Sequence, residues 1–265
     1  MPLFHIVVLA VIQGITELLP ISSSAHLVLT PRLMGWADQG LMIDVAVHIG
    51  TLGAVVVYLW HDLWRILRDL ARLAGGRVAP GARLLFCLFV ASLPVVAVGI
   101  ALTTWQGSLR TPEVIGWAFI GFGILLYFGD RHGLRVRGVD HINVPHALYI
   151  GIAQAFALIP GASRAGTSIT MARLLGYERG EAARFSMLLA IPAILGAGVL
   201  QGVELVRRGD AVMMVDAVLA AALAFATALV AIKLMMGWLR RASFTPFVCY
   251  RVVVGAAILY WVYMV

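Results

Sequence analysis

Apolar residues run along most of this chain in long blocks, and short polar or basic stretches separate the blocks. Blocks long enough to cross ~30 Å of hydrocarbon as helices occupy 41–61, 84–104, 113–129, 185–205, 212–235 and 247–264. The pattern predicts an all-α fold, a polytopic membrane bundle with six full spans.

Two further regions, 3–34 and 144–176, each contain two shorter apolar stretches with a break between them. The breaks read Leu-Leu-Pro-Ile-Ser-Ser-Ser-Ala at 18–25 and Leu-Ile-Pro-Gly-Ala-Ser-Arg-Ala at 158–165. Proline stops a helix, and the small polar residues after it can cap a new one. Non-helical backbone at membrane depth is tolerated only where protein or a water-filled cavity covers it. We therefore predict two re-entrant helix–loop–helix segments.

The two breaks resemble each other. When Pro20 is laid on Pro160, Ser23 matches Ser163. Paired interrupted segments in two halves of a membrane protein indicate an inverted-topology repeat with the binding site at the repeat interface. The prediction is a single membrane domain of residues 1–265 with approximate repeats 1–129 and 144–265.

Composition agrees with the membrane class and narrows the partners. Of 265 residues, 62% are hydrophobic and only 12% are charged, where a soluble domain carries about 25%. The net charge of +7 does not indicate nucleic-acid binding, because the basic residues are scattered in short Arg-rich loops. The two cysteines lie in apolar segments and form no disulfide framework or metal cluster.

The basic loops predict the topology, since loop Arg and Lys favour the cytoplasmic side. The loops after 61 and 129 carry Arg65, Arg68, Arg72, Arg77 and Arg83, and Arg131, Arg135 and Arg137, respectively. With both loops in the cytoplasm, the first broken segment is re-entrant from outside and the second from the cytoplasm. The two breaks, at 18–25 and 158–165, form the tips of these re-entrant segments. The first tip and the second tip then approach each other from opposite faces of the membrane.

The first tip carries a candidate catalytic group. Gln13 and Glu17 share one helix face, and a carboxylate deep in an apolar span is functional by default; a helix-end carboxylate at the membrane interface is the alternative for Glu17. His26 follows Ser23 by three residues, the spacing of a hydroxyl nucleophile and its base. The alternative is that the serines only cap the second half-helix.

The second tip carries a candidate anion site. Arg164 lies where the second half-helix begins, and guanidinium and helix N-terminus together favour phosphate. A structural ion pair between Arg164 and Glu17 is the alternative. His48, inside a span, either lines the site or packs as a hydrogen-bonded core histidine.

Together the tips resemble the paired signatures of the undecaprenyl-diphosphate phosphatases, integral membrane phosphatases of the bacitracin-resistance type. The first signature is a Glu/Gln-rich helix running into Leu-Pro-x-Ser-Ser-x-x-His. The second is Pro-Gly-x-Ser-Arg followed by small and hydroxyl residues. The resemblance covers nearly the whole chain, including Ala-Ile-Lys at 231–233 and Pro-Phe-Val-Cys-Tyr-Arg at 246–251.

This resemblance implies hydrolysis of undecaprenyl diphosphate to undecaprenyl phosphate and inorganic phosphate, which recycles the lipid carrier for cell-wall polymers. It implies a divalent cation, Mg²⁺ or Ca²⁺. The expected partners are the lipid substrate and membrane lipids, with no nucleic acid; a homodimer is left open. The expected location is the bacterial inner membrane, as a multi-pass protein whose site opens to the periplasm.

By position, the resemblance implies a role for each residue of the two tips. It implies that Ser23 is the nucleophile with His26 as its base, that Arg164 is the phosphate clamp, and that Glu17 and Gln13 have the acidic, metal-linked role. Direct attack by water activated by His26 or Glu17 is the alternative to attack by Ser23. The implied supporting or phosphate-binding residues are Gln13, Ser22, Gly161, Ser163 and Ser168.

Three positions depart from the family pattern. Gln13 stands where many members have a second Glu, so Glu17 must supply more of any metal site. Ala165 replaces a common Ser and so removes one hydrogen bond to phosphate, whereas Ser168 replaces Thr conservatively.

A transporter or flippase of isoprenoid lipids is the alternative function. Inverted repeats and helices broken at mid-depth are features of transporters. Flux of labelled lipid without phosphate release distinguishes this function from the enzyme.

Overall fold

In this computed structural model, residues 2–37, 39–74, 79–102, 109–208 and 211–264 are described, with side chains except those of 41, 74, 197–208 and 211–213. The described residues form eleven α-helices and no β-strand, which confirms the all-α prediction. The helices are α1 Leu3–Thr16, α2 Ser23–Met34, α3 Gly40–Tyr58, α4 Trp60–Ala74, α5 Pro80–Ala101, α6 Pro112–His132, α7 Val144–Ala155, α8 Arg164–Leu174, α9 Arg179–Arg208, α10 Ala211–Leu239 and α11 Thr245–Met264.

Most of the predicted spans are long apolar helices. Among the described residues, α5, α6, α10 and α11 are long and apolar enough to cross a membrane. A fifth span results if the bent pair α3 and α4 is counted as one. The sixth prediction, 185–205, falls within the 30-residue helix α9, whose side chains are described only up to 196.

The stretch after residue 61 is a helix, not the basic loop that the sequence predicts. Helix α4 is bent by 74° from α3. Its Arg65, Arg68 and Arg72 are exposed, and so are Trp64 and Leu67. A helix with exposed basic and large apolar side chains is typical of one lying in the membrane interface. Of the basic residues assigned to this stretch, Arg77 lies outside the described residues.

Both broken segments are helix–break–helix units. In the first, α1 ends at Thr16 and α2 begins at Ser23. In the second, α7 and a short 3₁₀ turn at Phe156–Leu158 precede α8, which begins at Arg164. The breaks contain Pro20 and Pro160, as predicted. Their re-entrant course through a membrane stays a prediction.

Helix packing brings equivalent parts of the two halves together. Helix α1 packs on α10, and α7 packs on α5; α3 packs on α9, and α6 packs on α11. If a twofold axis relates residues 1–129 to residues 144–265, the contact of α1 with α10 has its counterpart in that of α7 with α5, and the other two pairs are their own counterparts. Glycines allow close approach in two of these pairs, α1 with α10 and α5 with α7, because a Cβ on Gly14 would lie 1.9 Å from Thr227 and one on Gly151 would lie 2.4 Å from the carbonyl of Ala91. The inverted orientation itself stays a prediction.

A buried cluster ties four helix ends together. At the end of α6, Asp130 accepts hydrogen bonds from Arg173 at 3.1 Å, from Arg179 at 2.7 Å and from the amide of Phe244 at 3.1 Å. Arg173 is fully buried and also donates to backbone carbonyls of Leu134 and Gly133, both at 2.8 Å. The cluster fixes the C-terminal end of α8, which is the end of this helix opposite Arg164.

Candidate active site

Each tip ends in a serine with a left-handed backbone. Ser22 has φ 70° and precedes α2, and Ser163 has φ 73° and precedes α8. They are the only non-glycine residues with positive φ in the described part of the chain. Such backbone is sparsely populated and is concentrated at functional sites. It makes Ser22 the counterpart of Ser163, so the predicted match of Ser23 with Ser163 is wrong by one residue.

The carboxylate of Glu17 joins the two tips. The residue is 7% exposed. Its Oε1 accepts a hydrogen bond from Arg164 on the other tip, and its Oε2 accepts from Ser23. Gln13 also donates to Oε2, at 2.8 Å, and His48 Nε2 lies 3.7 Å from the same oxygen. The structure therefore brings the predicted nucleophile and the predicted phosphate clamp onto one buried carboxylate.

These groups open onto a cavity of about 370 Å³. Both tips line it, through Glu17, Ser22, Ser23, Ser24, Ser163 and Arg164. The rest of the lining is Asp44, Val45, His48, Val95, Arg110, Ala157, Leu158, Ala193 and Ile194. Two arginines and four serines line this cavity beside apolar side chains, a combination that suits an anionic head group on an apolar molecule.

The structure does not place His26 as the base of Ser23. His26 Nδ1 lies 2.7 Å from the carbonyl oxygen of Ser22, and Nε2 lies 2.6 Å from the Tyr250 hydroxyl. Both ring nitrogens are thus engaged, and the ring stacks on Tyr250. The group in contact with the Ser23 hydroxyl is Glu17, and the role of His26 as the base stays a prediction that these contacts do not support.

Two residues assigned to phosphate binding lie behind the cavity. Ser168 is 1% exposed, donates to the carbonyl of Arg164 at 2.8 Å and lies 2.7 Å from the hydroxyl of Ser186. Gly161 has φ 98° and lies outside the cavity lining. The Ser168 hydroxyl and the Gly161 carbonyl, which accepts from Arg251 at 2.9 Å, are thus bonded to protein atoms. Contact of these two residues with phosphate stays a prediction.

The hydroxyl of Ser163 has a structural partner as well as a place in the lining. It accepts a hydrogen bond from the amide of Gly166 at 3.0 Å, as a helix N-cap does. Ser163 therefore supports the start of α8, and with it the backbone of Arg164.

Three polar side chains from outside the tips also line the cavity. His48 lies on the cavity, so the lining alternative holds for it; its Nδ1 lies 2.6 Å from the carbonyl of Asp44. Asp44 and Arg110, which the sequence analysis missed, also line the cavity. Asp44 could have been found, because it is an acid inside an apolar span. Arg110 lies between α5 and α6, where the sequence carries no motif.

One orphaned atom beside Glu17 bears on the implied cation. Gln13 is fully buried, and its Oε1 has no hydrogen-bond partner in the described part of the chain. An amide oxygen and a carboxylate are ligands that Mg²⁺ and Ca²⁺ prefer. No group of three or more His, Cys, Asp or Glu suited to a metal occurs among the described residues. The donor chemistry of Gln13 and Glu17 fits a divalent cation, whose binding here stays a prediction.

The chain matches known proteins over nearly its whole length. Residues 6–257 match the family described as Bacitracin resistance protein BacA. The chain is 50% identical to undecaprenyl-diphosphatase 1 of Rhodospirillum rubrum, covering 100% of this chain and 96% of that protein. It is also 50% identical to the undecaprenyl-diphosphatases of Dinoroseobacter shibae and Ruegeria pomeroyi, with 98% of each chain covered. This chain belongs to the BacA bacitracin resistance family.

Proposed function

We propose that this chain is an undecaprenyl-diphosphate phosphatase. It hydrolyses the anhydride bond of the lipid diphosphate, releases inorganic phosphate and returns undecaprenyl phosphate to the cell-wall cycle. Family membership and the names of relatives half identical over the full chain support the reaction. The observation that carries it to a site is the contact of Ser23 and Arg164 with one buried carboxylate at a cavity.

Arg164 binds and neutralises the diphosphate. Its side chain is 23% exposed and lines the cavity, although it donates to Glu17. Guanidinium has five N–H donors, so one bond to Glu17 leaves others for phosphate oxygens. The ion pair with Glu17 holds the Arg164 guanidinium in place before the substrate binds. This combines the two alternatives, clamp and ion pair, in a single arrangement.

Ser23 is the nucleophile, and Glu17 takes its proton. Ser23 Oγ attacks the terminal phosphorus, the bond from that phosphorus to the bridging oxygen breaks, and undecaprenyl phosphate leaves as an anion. Water then attacks the phosphorus of the phosphoserine, the bond from phosphorus to Ser23 Oγ breaks, and Glu17 returns its proton to Oγ, which frees inorganic phosphate and restores the site. Such phosphoryl transfer depends on positioning and charge neutralisation, which Arg164 supplies. Direct attack by water on the lipid diphosphate is the variant without a covalent step.

Gln13 and Glu17 are the residues that would hold a divalent cation. A bound cation adds charge neutralisation at the phosphates. The protein contributes the carboxylate of Glu17 and the amide oxygen of Gln13, which is buried without a hydrogen-bond partner among the described residues.

The chain is a multi-pass membrane protein, and we place it in the bacterial inner membrane with the cavity open to the periplasm. The positive-inside rule supports this orientation. Arg131 and Arg135, which mark the cytoplasmic side, line a different pocket beside Asp130.

The test is phosphate release from C55 diphosphate by purified protein in detergent, with and without EDTA. Wild type should release phosphate, and both Ser23→Ala and Arg164→Ala should lose a factor of about 100 or more. Ser243→Ala and Arg135→Ala, which change the same residue types away from the cavity, should stay near wild type. Loss of phosphate release on adding EDTA, and its recovery with Mg²⁺ or Ca²⁺, would support the bound divalent cation.

Two outcomes contradict parts of the proposal. No release by folded wild type with divalent cation present, together with flux of labelled lipid across vesicles, favours the transporter. Trapping of radioactive phosphate on wild type but not on Ser23→Ala supports the covalent step, and its absence during turnover favours direct attack by water.

A further inference from the structure

Helix α11 carries a fully buried arginine that has no assigned role. Arg251 is 0% exposed, and none of its hydrogen bonds in the described part of the chain goes to a carboxylate. Its guanidinium carbon lies 5.5 Å from the centroid of the Phe119 ring. A buried charge without a counterion is costly, so its retention needs a reason.

All five hydrogen bonds of Arg251 go to backbone carbonyls. Nη1 donates to Pro20 and to Ala162, both at 3.1 Å, and Nη2 donates to Gly161 at 2.9 Å. The remaining two go to α6, from Nη2 to Ala118 and from Nε to Phe119, both at 3.2 Å. One planar group thus uses as many donors as a guanidinium has, and its Nη1 joins the first tip to the second.

The three carbonyls at the tips, those of Pro20, Gly161 and Ala162, need these hydrogen bonds. At a helix break, carbonyl groups lose their intrahelical partners, and an unsatisfied carbonyl at membrane depth is costly. In a trans peptide the N–H points opposite to the C=O. The bond to the carbonyl of Ala162 therefore directs the N–H of Ser163 away from Arg251.

The contacts of Arg251 also bear on the start of α8. A Cβ on Gly166 would lie 2.9 Å from Arg251 Nη1, so the guanidinium packs directly behind the turn that presents Arg164. Arg251 is not part of the cavity lining. It does not touch the substrate, and any effect on the reaction must pass through the backbone of the tips.

We propose that Arg251 is a positioning residue that locks the two tips together, so that Ser23 and Arg164 stay on Glu17. The inference rests on the proposed function. Lysine has three donors and no fork, so it can keep the charge but cannot bind all five carbonyls.

The test compares Arg251→Lys with Arg173→Lys. Arg173 is an equally buried arginine that bonds backbone carbonyls, but at the far end of α8 and around Asp130. Arg251→Lys should lose about 100-fold in kcat, because a displacement of about 1 Å in a reacting group costs about that much, with KM for the lipid changed less than threefold. Arg173→Lys should lower the Tm as much or more and keep kcat within threefold of wild type.

Hydrogen–deuterium exchange supplies a readout that does not need turnover. Amides of 17–25 and 159–166 should exchange faster in Arg251→Lys, in both tips together, and should not change in Arg173→Lys. If wild type releases no phosphate, the proposed function fails, and faster exchange at both tips still supports the lock. If Arg251→Lys cannot be recovered folded, the neutral Arg251→Gln is measured in the same way.

Three results overturn the inference. One is folded Arg251→Lys with kcat within threefold of wild type. Another is a loss of kcat in Arg173→Lys equal to that in Arg251→Lys, since this makes the effect one of general stability. The third is faster exchange in one tip only.

Discussion

At the residue scale, Glu17 decides the arrangement of the site. A carboxylate buried at membrane depth needs compensation, and Glu17 receives it from a guanidinium, a hydroxyl and an amide. The compensating groups come from both tips. The need to satisfy one charge therefore holds the nucleophile and the clamp within contact of each other.

Replacing the Glu17 carboxylate by an amide tests this role. Glu17→Gln keeps the shape but removes both the proton acceptor for Ser23 and the counterion of Arg164. General base catalysis contributes about 100-fold or more, so phosphate release should fall by at least that factor. Asp69→Asn is the matched control, because Asp69 is 5% exposed and hydrogen-bonded to the amide of Gly81 at 2.9 Å, outside the cavity. Equal losses of turnover per folded molecule in the two variants would contradict the role of Glu17.

The position of His26 leads to a second prediction. Its nitrogens are engaged by the carbonyl of Ser22 and the hydroxyl of Tyr250, and a hydrogen bond contributes about 1 kcal/mol net. His26→Gln should therefore lower phosphate release by no more than about tenfold, since tenfold corresponds to about 1.4 kcal/mol. Tyr250→Phe, which removes only the hydroxyl, should behave similarly. A loss in His26→Gln as large as in Ser23→Ala would restore His26 as the base.

At the element scale, the two half-helices begin in the same way. A serine in the left-handed region turns the chain, and a helix starts at the next residue, Ser23 in one tip and Arg164 in the other. The residue that opens each half-helix is thereby directed at Glu17. The chemistry of the site depends on this turn, because it sets both side chains on opposite sides of one carboxylate.

The strain at Ser22 can be measured. A non-glycine residue in left-handed backbone costs about 1–2 kcal/mol, and glycine removes most of that cost. Ser22→Gly should raise the Tm in detergent by a few degrees, since about 1 kcal/mol corresponds to about 2–4 °C. Ser24→Gly is the control within α2, where glycine should lower the Tm. A fall of equal size in both variants would show that the Ser22 backbone is unstrained.

At the scale of the whole molecule, the halves exchange partners. Helix α1 lies on α10 and α7 lies on α5, so each broken segment is supported by a helix of the other half. The cavity then lies between the halves, where inverted-repeat proteins place their sites. Helix α4 is fixed to α9 through the ion pair of Asp62 with Arg184. This contact holds α4 against the bundle.

The orientation in the membrane gives a whole-molecule prediction. In a background lacking Cys87 and Cys249, Ser24→Cys should react with an impermeant thiol reagent added outside intact cells, because Ser24 lines the cavity. Arg135→Cys should react only after the membrane is permeabilised. Labelling of Arg135→Cys but not of Ser24→Cys in intact cells would show that the protein has the opposite orientation in the membrane.

Local signals explain what could be predicted from this sequence. Hydropathy located four of the six predicted spans as long apolar helices of the described residues, and Pro20 and Pro160 located the breaks, because both signals depend on residues adjacent in the chain. Charge at membrane depth identified Glu17 and Arg164, since its cost is high in any fold. The bend between α3 and α4 lacked such a signal, because no proline or break marks residue 59.

The site's pairings could not be predicted in the same way. The spacing of Ser23 and His26 indicated a nucleophile and its base, but helix α11 brought Tyr250 to His26 and the first tip brought Glu17 to Ser23. Asp44 and Arg110 reach the cavity from separate elements. Such contacts join residues far apart in sequence.

The sequence by itself determined that this chain is a helical membrane protein with two broken segments and a charged pair at their tips. These properties follow from the cost of placing polar groups in hydrocarbon, which acts on each residue wherever the fold puts it. Only the tertiary structure decided which hydroxyl meets which acid, and that Arg251 bonds the carbonyls of both tips. Hydrogen bonds act over about 3 Å and in fixed directions, so these pairings exist only once the helices have packed.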